Sequence, residues 1–349
     1  MYKLSHGVAS AQGRVGRFFT GDWFCGGALR PDCASFFQVL KMKPVSIIIP
    51  AHNAAETIRT TLASLVTERA VIREVVLVDD GSTDGTAIAA RQCAESLDLP
   101  LTVVESDCRD PGGARNVGLD AVDGDWIYFL DADDDHVEGG LRRLFEVASS
   151  EPGTDIVIGG YRRIVDGPDF TDKRPRKFTG DPVRNAGDYV AGLHRTVAVG
   201  SVLVRAGLIE QTRFPCGLHF DEDTVFWVQL FLRGRIATSP AVTMVYRLRT
   251  ERAARRFMVD PHRRFDDWRT KLRSLGTKGL PELAIARREG MVALKIARVH
   301  YAAGDIETAH AFISLALARP HSLRNRVRVW RYAAKIAARK RGVTDSRRV

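Results

Sequence analysis

Long hydrophobic runs are missing from this 349-residue sequence. No stretch reaches the roughly 18 consecutive apolar residues that a membrane span needs. The best candidate, Val197 to Val204, is broken by Gly200 and stops at Arg205. An integral membrane protein is therefore not expected. Cysteine is scarce as well: Cys25, Cys33, Cys93, Cys108 and Cys216 form no CxxC pair, and no histidine cluster stands at zinc spacing. Neither a disulfide framework nor a structural zinc is indicated, and a reducing cytosol is the expected location.

What the chain does have is enough apolar residue, 45%, to bury a real core, and charge that is unevenly placed. From Tyr246 to Val349 there are 26 Lys and Arg against 9 Asp and Glu, whereas residues 1–245 carry 26 against 33. The net charge of +10 thus belongs to the tail. A basic tail suits an anionic lipid surface or a nucleic acid, and it equally suits a solubilising helical face.

Residues 1–43 are rich in Gly, Phe and small residues without sustained periodicity. They read as a non-domain leader. Arg14 and Arg17 follow rather than precede any apolar stretch, so a signal peptide fits poorly, and a true start at Met42 explains the segment at least as well. From Val45 the chain alternates β-branched runs (45–49, 74–78, 101–105, 126–130) with helical patterns (54–67, 83–96, 113–121). That alternation is the signature of an α/β fold with a mostly parallel sheet and helices on both faces. Such sheets bind ligands at the carboxyl ends of their strands, and the polar residues sit there.

The first strand runs into Pro50-Ala51-His52-Asn53, the second into Asp79-Asp80-Gly81-Ser82-Thr83-Asp84-Gly85, and a later one into Asp131-Ala132-Asp133-Asp134-Asp135. In the second loop Ser82, Thr83 and Asp84 can cap the next helix. Capping does not require two adjacent carboxylates, so one of the pair is available to a nucleobase or ribose. In the third loop, four carboxylates within five residues repel one another unless a cation or a strong donor compensates them. A hard divalent ion fits there, held by one or two carboxylates and substrate phosphates; a solvated acidic turn is the competing reading. His136 reads as a neighbour rather than a ligand.

These residues resemble the family 2 glycosyltransferases with the GT-A fold. The resemblance rests on Val45-Ser46-Ile47-Ile48-Ile49-Pro50-Ala51-His52-Asn53, on Val78 to Asp84, on Gly113-Ala114-Arg115-Asn116-Val117-Gly118 and on Phe129-Leu130-Asp131-Ala132-Asp133-Asp134. Arg213-Phe214-Pro215 and then Phe220-Asp221-Glu222-Asp223-Thr224 look like the family's later acidic motif. The resemblance implies a GT-A, Rossmann-like catalytic domain over 44–250, followed by a basic helical region over 251–349. It implies an inverting, metal-dependent transferase that places a sugar from a nucleotide-diphosphate donor, a UDP-sugar, on an acceptor hydroxyl of a cell-surface glycan or lipid-linked acceptor.

Carried over by position, Pro50, His52, Asn53 and Asp79 or Asp80 hold uracil and ribose, and Arg115 supports the nucleotide end. Asp131 and Asp133 form the Asp-x-Asp motif for ribose and for Mg²⁺ or Mn²⁺. Asp223 is the general base, with Glu222 as the second choice. By itself, Asp223 also reads as a helix N-terminal acid ahead of Val225-Phe226-Trp227.

The sequence departs from family patterns in two places. It lacks the Gln-x-x-Arg-Trp motif of processive synthases, which favours single transfer. Tyr246-Arg247-Leu248-Arg249 is followed by Thr250-Glu251-Arg252, where a Gly-Ser pair is common.

In the tail, helical periodicity over 283–318 with a break at Gly304-Asp305 resembles one tetratricopeptide-type hairpin. A lone repeat cannot bury its own face, so it is expected to pack on the catalytic domain, on a second subunit of a homo-oligomer or on a partner. Residues 322–341 place Leu323, Val327, Trp330, Ala334 and Ala338 along one side among Arg324, Arg328, Arg331, Lys335, Arg339 and Lys340. That is a basic amphipathic helix suited to the surface of an anionic membrane.

Two other function classes compete. A sugar-nucleotide nucleotidyltransferase usually opens with a Gly-rich basic loop, where this chain has Pro50-Ala51-His52-Asn53-Ala54-Ala55. A nucleic-acid-binding protein would use the basic tail, but the aromatic interleaving that base stacking needs is absent and the acidic half repels phosphate. No nucleic-acid partner is expected.

Overall fold

The computed structural model describes residues 45–194, 197–248 and 250–346, all within one compact unit. The leader over 1–43 lies outside the described residues. β1 (Val45–Ala51), β2 (Ile72–Asp80), β3 (Leu101–Ser106) and β4 (Trp126–Phe129) pair in parallel in the order β3-β2-β1-β4. Val45, Ile47, Ile48 and Ile49 are all fully buried. Successive side chains of a strand point to opposite faces, so both faces of the sheet are covered. Chain order reverses at β1, between β2 on one side and β4 on the other, which marks the ligand crevice of an open α/β sheet.

The helices between these strands are α1 (Ile58–Ser64), α2 (Thr86–Ser96) and α3 (Pro111–Asp120). Asp110 caps α3 by accepting from Gly113 N–H at 3.0 Å, and Pro111 occupies its first turn. A Cβ on Gly118 would lie 2.4 Å from Ile48 Cγ2, so glycine there lets α3 lie directly on β1. A methyl group at that point would cost about 1–3 kcal/mol in forced rearrangement.

The parallel pattern holds for these four strands and gives way to a mixed sheet beyond them. The next elements are β5 (Asp135–His136), α4 (Gly140–Ser150), β6 (Ile156–Val165), β7 (Phe170–Lys173), α5 (Pro182–Val190), β8 (Val202–Arg205), α6 (Ala206–Ile209), α7 (Glu222–Phe231) and β9 (Ile236–Leu248). β8 is antiparallel to both β4 and β6, β6 is parallel to β9, and β5 is antiparallel to β9. Opposite Gly159 the register of β9 slips across Ser239-Pro240-Ala241, a bulge that accommodates a proline without an N–H for the ladder.

Five helices follow: α8 (Thr250–Arg255), α9 (Pro261–Ser274), α10 (Glu282–Ala303), α11 (Ile306–Leu317) and α12 (Leu323–Ser346). Gly304 ends α10 with φ 87°, and the Asp305 side chain accepts from Thr308 N–H at 3.1 Å to start α11. This is the hairpin legible in the sequence. Of the three surfaces open to it, it packs on the preceding α/β region, α10 lying against α5, and Ile285, Ala297 and Phe312 belong to the same buried cluster as Ile48, Phe129 and Trp227.

Candidate active site

Two strand-end loops are knitted together at the β1/β2 edge. Asn53, with φ 49°, donates its N–H to Ser82 Oγ at 2.9 Å and accepts from Thr83 N–H at 2.9 Å through Oδ1. His52 Nδ1 lies 2.7 Å from the Asp80 carbonyl. Pro50 pairs with Val78 and Ala51 with Asp79 in the β1/β2 ladder, so these residues share one sheet edge.

The adjacent carboxylates divide their work. Asp80 is buried and committed to the fold, accepting from Ser106 Oγ at 2.9 Å and from Asp110 N–H at 2.9 Å. Asp79 uses one oxygen to accept from Ser82 N–H at 3.1 Å. Its other oxygen has no hydrogen-bond partner among the described residues, so it is the member of the pair available to a ligand.

The acidic loop is held from behind. The Thr61 hydroxyl lies 3.0 Å from the Ala132 carbonyl and 2.9 Å from that of Asp134, donating to one at a time. Asp134 is buried and accepts from Arg247 N–H at 3.0 Å, while Asp135 pairs with the Arg247 side chain. His136 turns inward, its Nε2 accepting from Leu141 N–H at 3.0 Å. Asp131 and Asp133 remain partly exposed.

Burial, then the negative charge of Asp131, Asp133 and Asp135, pushes the Asp134 carboxyl well above its ordinary range. Among the described residues no set of three or more ligating side chains is assembled for a metal. Hard, partly exposed carboxylate oxygens spaced i and i+2 fit a divalent ion that draws its remaining ligands from substrate phosphates.

Arg115 joins this loop to the later acidic motif. It is 4% exposed; its Nη2 donates to Asp131 at 2.7 Å and its Nη1 to Glu222 at 3.2 Å. Burial opposes its charge, but Asp131 and Glu222 outweigh that and hold the guanidinium above its ordinary pKa. It is steadied by the Phe214 ring, 5.2 Å away, whose backbone is pinned by Asn116: Asn116 Oδ1 accepts from Phe214 N–H at 2.8 Å, and its Nδ2 donates to Phe214 O at 2.9 Å.

Glu222 and Asp223 open α7. Asp223 accepts from Thr224 N–H at 2.8 Å with one oxygen, and its other oxygen has no hydrogen-bond partner among the described residues. Burial, followed by Asp221, raises its pKa, against the pull of Arg288 and Arg115. Asp221 adopts φ 62° and is gripped by Arg288 of α10, whose Nε donates at 2.8 Å and whose Nη2 also contacts the carboxylate. Sequence reasoning gave Asp221 no role and did not find Arg288.

Burial and then Asp223 push the Glu222 carboxyl up to about 7, with Arg115 pulling the other way. A raised folded pKa means that the folded state keeps a proton the unfolded chain has shed, so this group favours the fold at acid pH and disfavours it as pH rises through about 7. Glu222→Gln cannot lose that proton. Its stability relative to wild type is expected to increase by on the order of 2 kcal/mol between pH 5 and pH 8. Denaturant unfolding in EDTA measures this, and a pH-independent difference would contradict the assignment.

A cavity of about 260 Å³ gathers Arg115, Asp131, Glu222 and Asp223 with Asp134, Asp221, Tyr246, Arg256 and Lys295. Pro50, His52, Asn53, Asp79, Asp80 and Asp133 lie outside its lining. Arg256 and Lys295, contributed after β9, were not anticipated.

Residues 46–202 match the model of glycosyl transferase family 2. This span contains every candidate donor and metal residue and stops short of Glu222 and Asp223. The chain is 29% identical over 174 residues to the amylovoran biosynthesis glycosyltransferase AmsB of Erwinia amylovora, covering 48% of this chain and 58% of that protein. It is 28% identical over 229 residues to the succinoglycan biosynthesis protein ExoO of Rhizobium meliloti, covering 63% and 65%. The chain thus spans less than two thirds of the length of either relative. A third relative, the UDP-Glc:alpha-D-GlcNAc-diphosphoundecaprenol beta-1,3-glucosyltransferase WfaP of Escherichia coli, is 27% identical over 55% of this chain and 72% of its own length. In structure the chain is similar to S. aureus TarS 1-349 crystallised with UDP-GlcNAc, with a TM-score of 0.55 over 78% of this chain and 81% of that one. At 19% identity this likeness is one of fold.

Proposed function

We propose that this chain, whose residues 46–202 match the family 2 glycosyl transferase model, moves a sugar from a UDP-sugar to an acceptor hydroxyl in cell-surface glycan synthesis, with inversion. The observation that carries this reading is Arg115 bridging Asp131 and Glu222 at 2.7 and 3.2 Å. One guanidinium thereby ties the acidic loop on the leaving-group side to the carboxylates of α7 within a single cavity.

In this mechanism His52, Asn53 and Asp79 hold the uracil and ribose, and Asp131 holds ribose and, with Asp133, would hold a Mg²⁺ or Mn²⁺ ion. The ion, when bound, offsets the negative charge that grows on the departing diphosphate. Asp223 accepts the proton of the acceptor hydroxyl as its oxygen bonds to the anomeric carbon and the bond to the diphosphate breaks, releasing UDP. Direct displacement from the opposite face inverts the anomeric configuration. A nucleotidyltransferase would release pyrophosphate instead. Two incubations with Mn²⁺ separate them: UDP released from a panel of nucleotide-sugars is the expected result, and pyrophosphate released from nucleoside triphosphates with sugar 1-phosphates, with no UDP from the nucleotide-sugars, would overturn the reading.

Among the described residues no helix is long and apolar enough to cross a membrane. α12 docks on the protein through Asn325, Val329 and Ile336, all buried. The stripe singled out in the sequence faces away, with Leu323, Val327 and Trp330 exposed by 78%, 63% and 65%. No Asp or Glu occurs between Glu307 and Asp345. That combination supports peripheral attachment to an anionic cytoplasmic membrane face, each basic residue contributing on the order of 1 kcal/mol near the surface. Liposome co-sedimentation is expected to rise with phosphatidylglycerol content and fall with salt. Equal sedimentation with neutral vesicles, or none with anionic ones, would leave α12 a solvated or protein-binding face. The acceptor named for the WfaP relative is lipid-linked through a diphosphate, and a membrane-bound acceptor of that kind is proposed for this chain too.

A further inference from the structure

We propose that Lys295 of α10 and Arg256, just after α8, form an anion subsite in the acceptor half of the cavity and hold the phosphate of a phosphate-bearing acceptor. This deepens the transferase reading above and rests on it. Both residues line the same cavity as Asp223. Lys295 Nζ lies 4.5 Å from the centre of the Phe257 ring and the Arg256 guanidinium 5.6 Å from it.

Their mounting is rigid. Phe257 is buried, stacks on Phe220 with ring centres 4.9 Å apart, and its carbonyl lies 3.0 Å from His300 Nε2 in the middle of the protein. Lys295 stands on a 22-residue helix whose other faces carry core residues such as Ile296 and Ala297. Val292, one turn earlier on the same helix, adds an apolar wall to the cavity.

The charge pattern points to an incoming anion. Three carboxylates of the cavity have arginines of their own: Arg115 serves Asp131 and Glu222, and Arg288 serves Asp221. Lys295 has no ion-pair partner among the described residues, and its side chain is open to solvent where it lines the cavity. Lys295 shares the cavity with Asp221 and Asp223 at the start of α7, where the acceptor hydroxyl enters in the proposed mechanism. A phosphate between Lys295 and Arg256 would relieve their repulsion and form charge-assisted hydrogen bonds.

The test is calorimetric titration of geranyl diphosphate into the full-length enzyme saturated with UDP and Mn²⁺, so that the donor side is already filled. In Lys295→Gln the Kd for geranyl diphosphate is expected to rise about tenfold or more. Lys295→Arg should restore binding to within a few-fold, and the Kd for UDP in Mn²⁺ should stay within twofold in both variants, which also shows that they are folded. Inorganic pyrophosphate, run in parallel, separates sources: an acceptor-borne diphosphate binds several-fold tighter because its chain meets Val292, and equal binding of the two would overturn the acceptor assignment. Unchanged geranyl diphosphate affinity in Lys295→Gln would also overturn the proposal. So would a tenfold loss of UDP affinity, since it would place these cations on the donor. Failure of the wild type to bind UDP with Mn²⁺ at all would instead bring down the transferase reading, and this proposal with it.

Discussion

Asp223→Asn is expected to bind UDP-sugar and Mn²⁺ as the wild type does and to transfer about a hundredfold more slowly or worse. The substitution keeps the shape of the side chain and the contact to Thr224 N–H while removing the ability to take a proton. Asp223, one of whose oxygens has no hydrogen-bond partner among the described residues, lines the same cavity as Asp131, so the loss should fall on kcat and leave ground-state donor contacts in place. Single-turnover transfer measured beside donor calorimetry makes the separation. A variant that transfers near the wild-type rate would move the base to Glu222, whose carboxylate is otherwise occupied by Arg115 at 3.2 Å.

Asp133→Ala is expected to abolish metal-dependent donor binding, with Asp131→Ala weakening it. With so few protein carboxylates in reach of the ion, the loss of one leaves the diphosphate charge without its counterweight. Asp131 differs because it also anchors Arg115 at 2.7 Å, so its removal should loosen Glu222 as well. Calorimetry with UDP in Mn²⁺ and in EDTA reads both effects. Unchanged affinity for Asp133→Ala in Mn²⁺ would remove the metal from this loop.

The parts legible in the sequence were those written within a few residues of one another. Val45 to Asn53 is a buried strand followed at once by its polar end, and the repulsion within Asp131 to Asp135 is visible without any fold. The choice between Asp79 and Asp80 was not legible, because it is made by Ser106 and Asp110 on other elements. The grip of Arg288 on Asp221 joins residues 67 apart with no periodic signal between them. Short strands hid the mixed half of the sheet: β8 is four residues long, and β9 carries a proline in a bulge. In α12 the apolar stripe from Leu323 to Ala338 was visible, but alanines and a buried Asn325 let the helix dock through a second stripe that hydrophobicity alone does not separate from the first.

The central claim is that the acidic loop and Asp223 act from opposite faces of one sugar, and the configuration of the first product tests it most directly. Proton NMR can follow hydrolysis of an α-linked UDP-sugar in Mn²⁺ without any knowledge of the acceptor, with water in place of the hydroxyl. The account predicts that the β-anomer of the free sugar accumulates first and then mutarotates. Initial release of the α-anomer would contradict it.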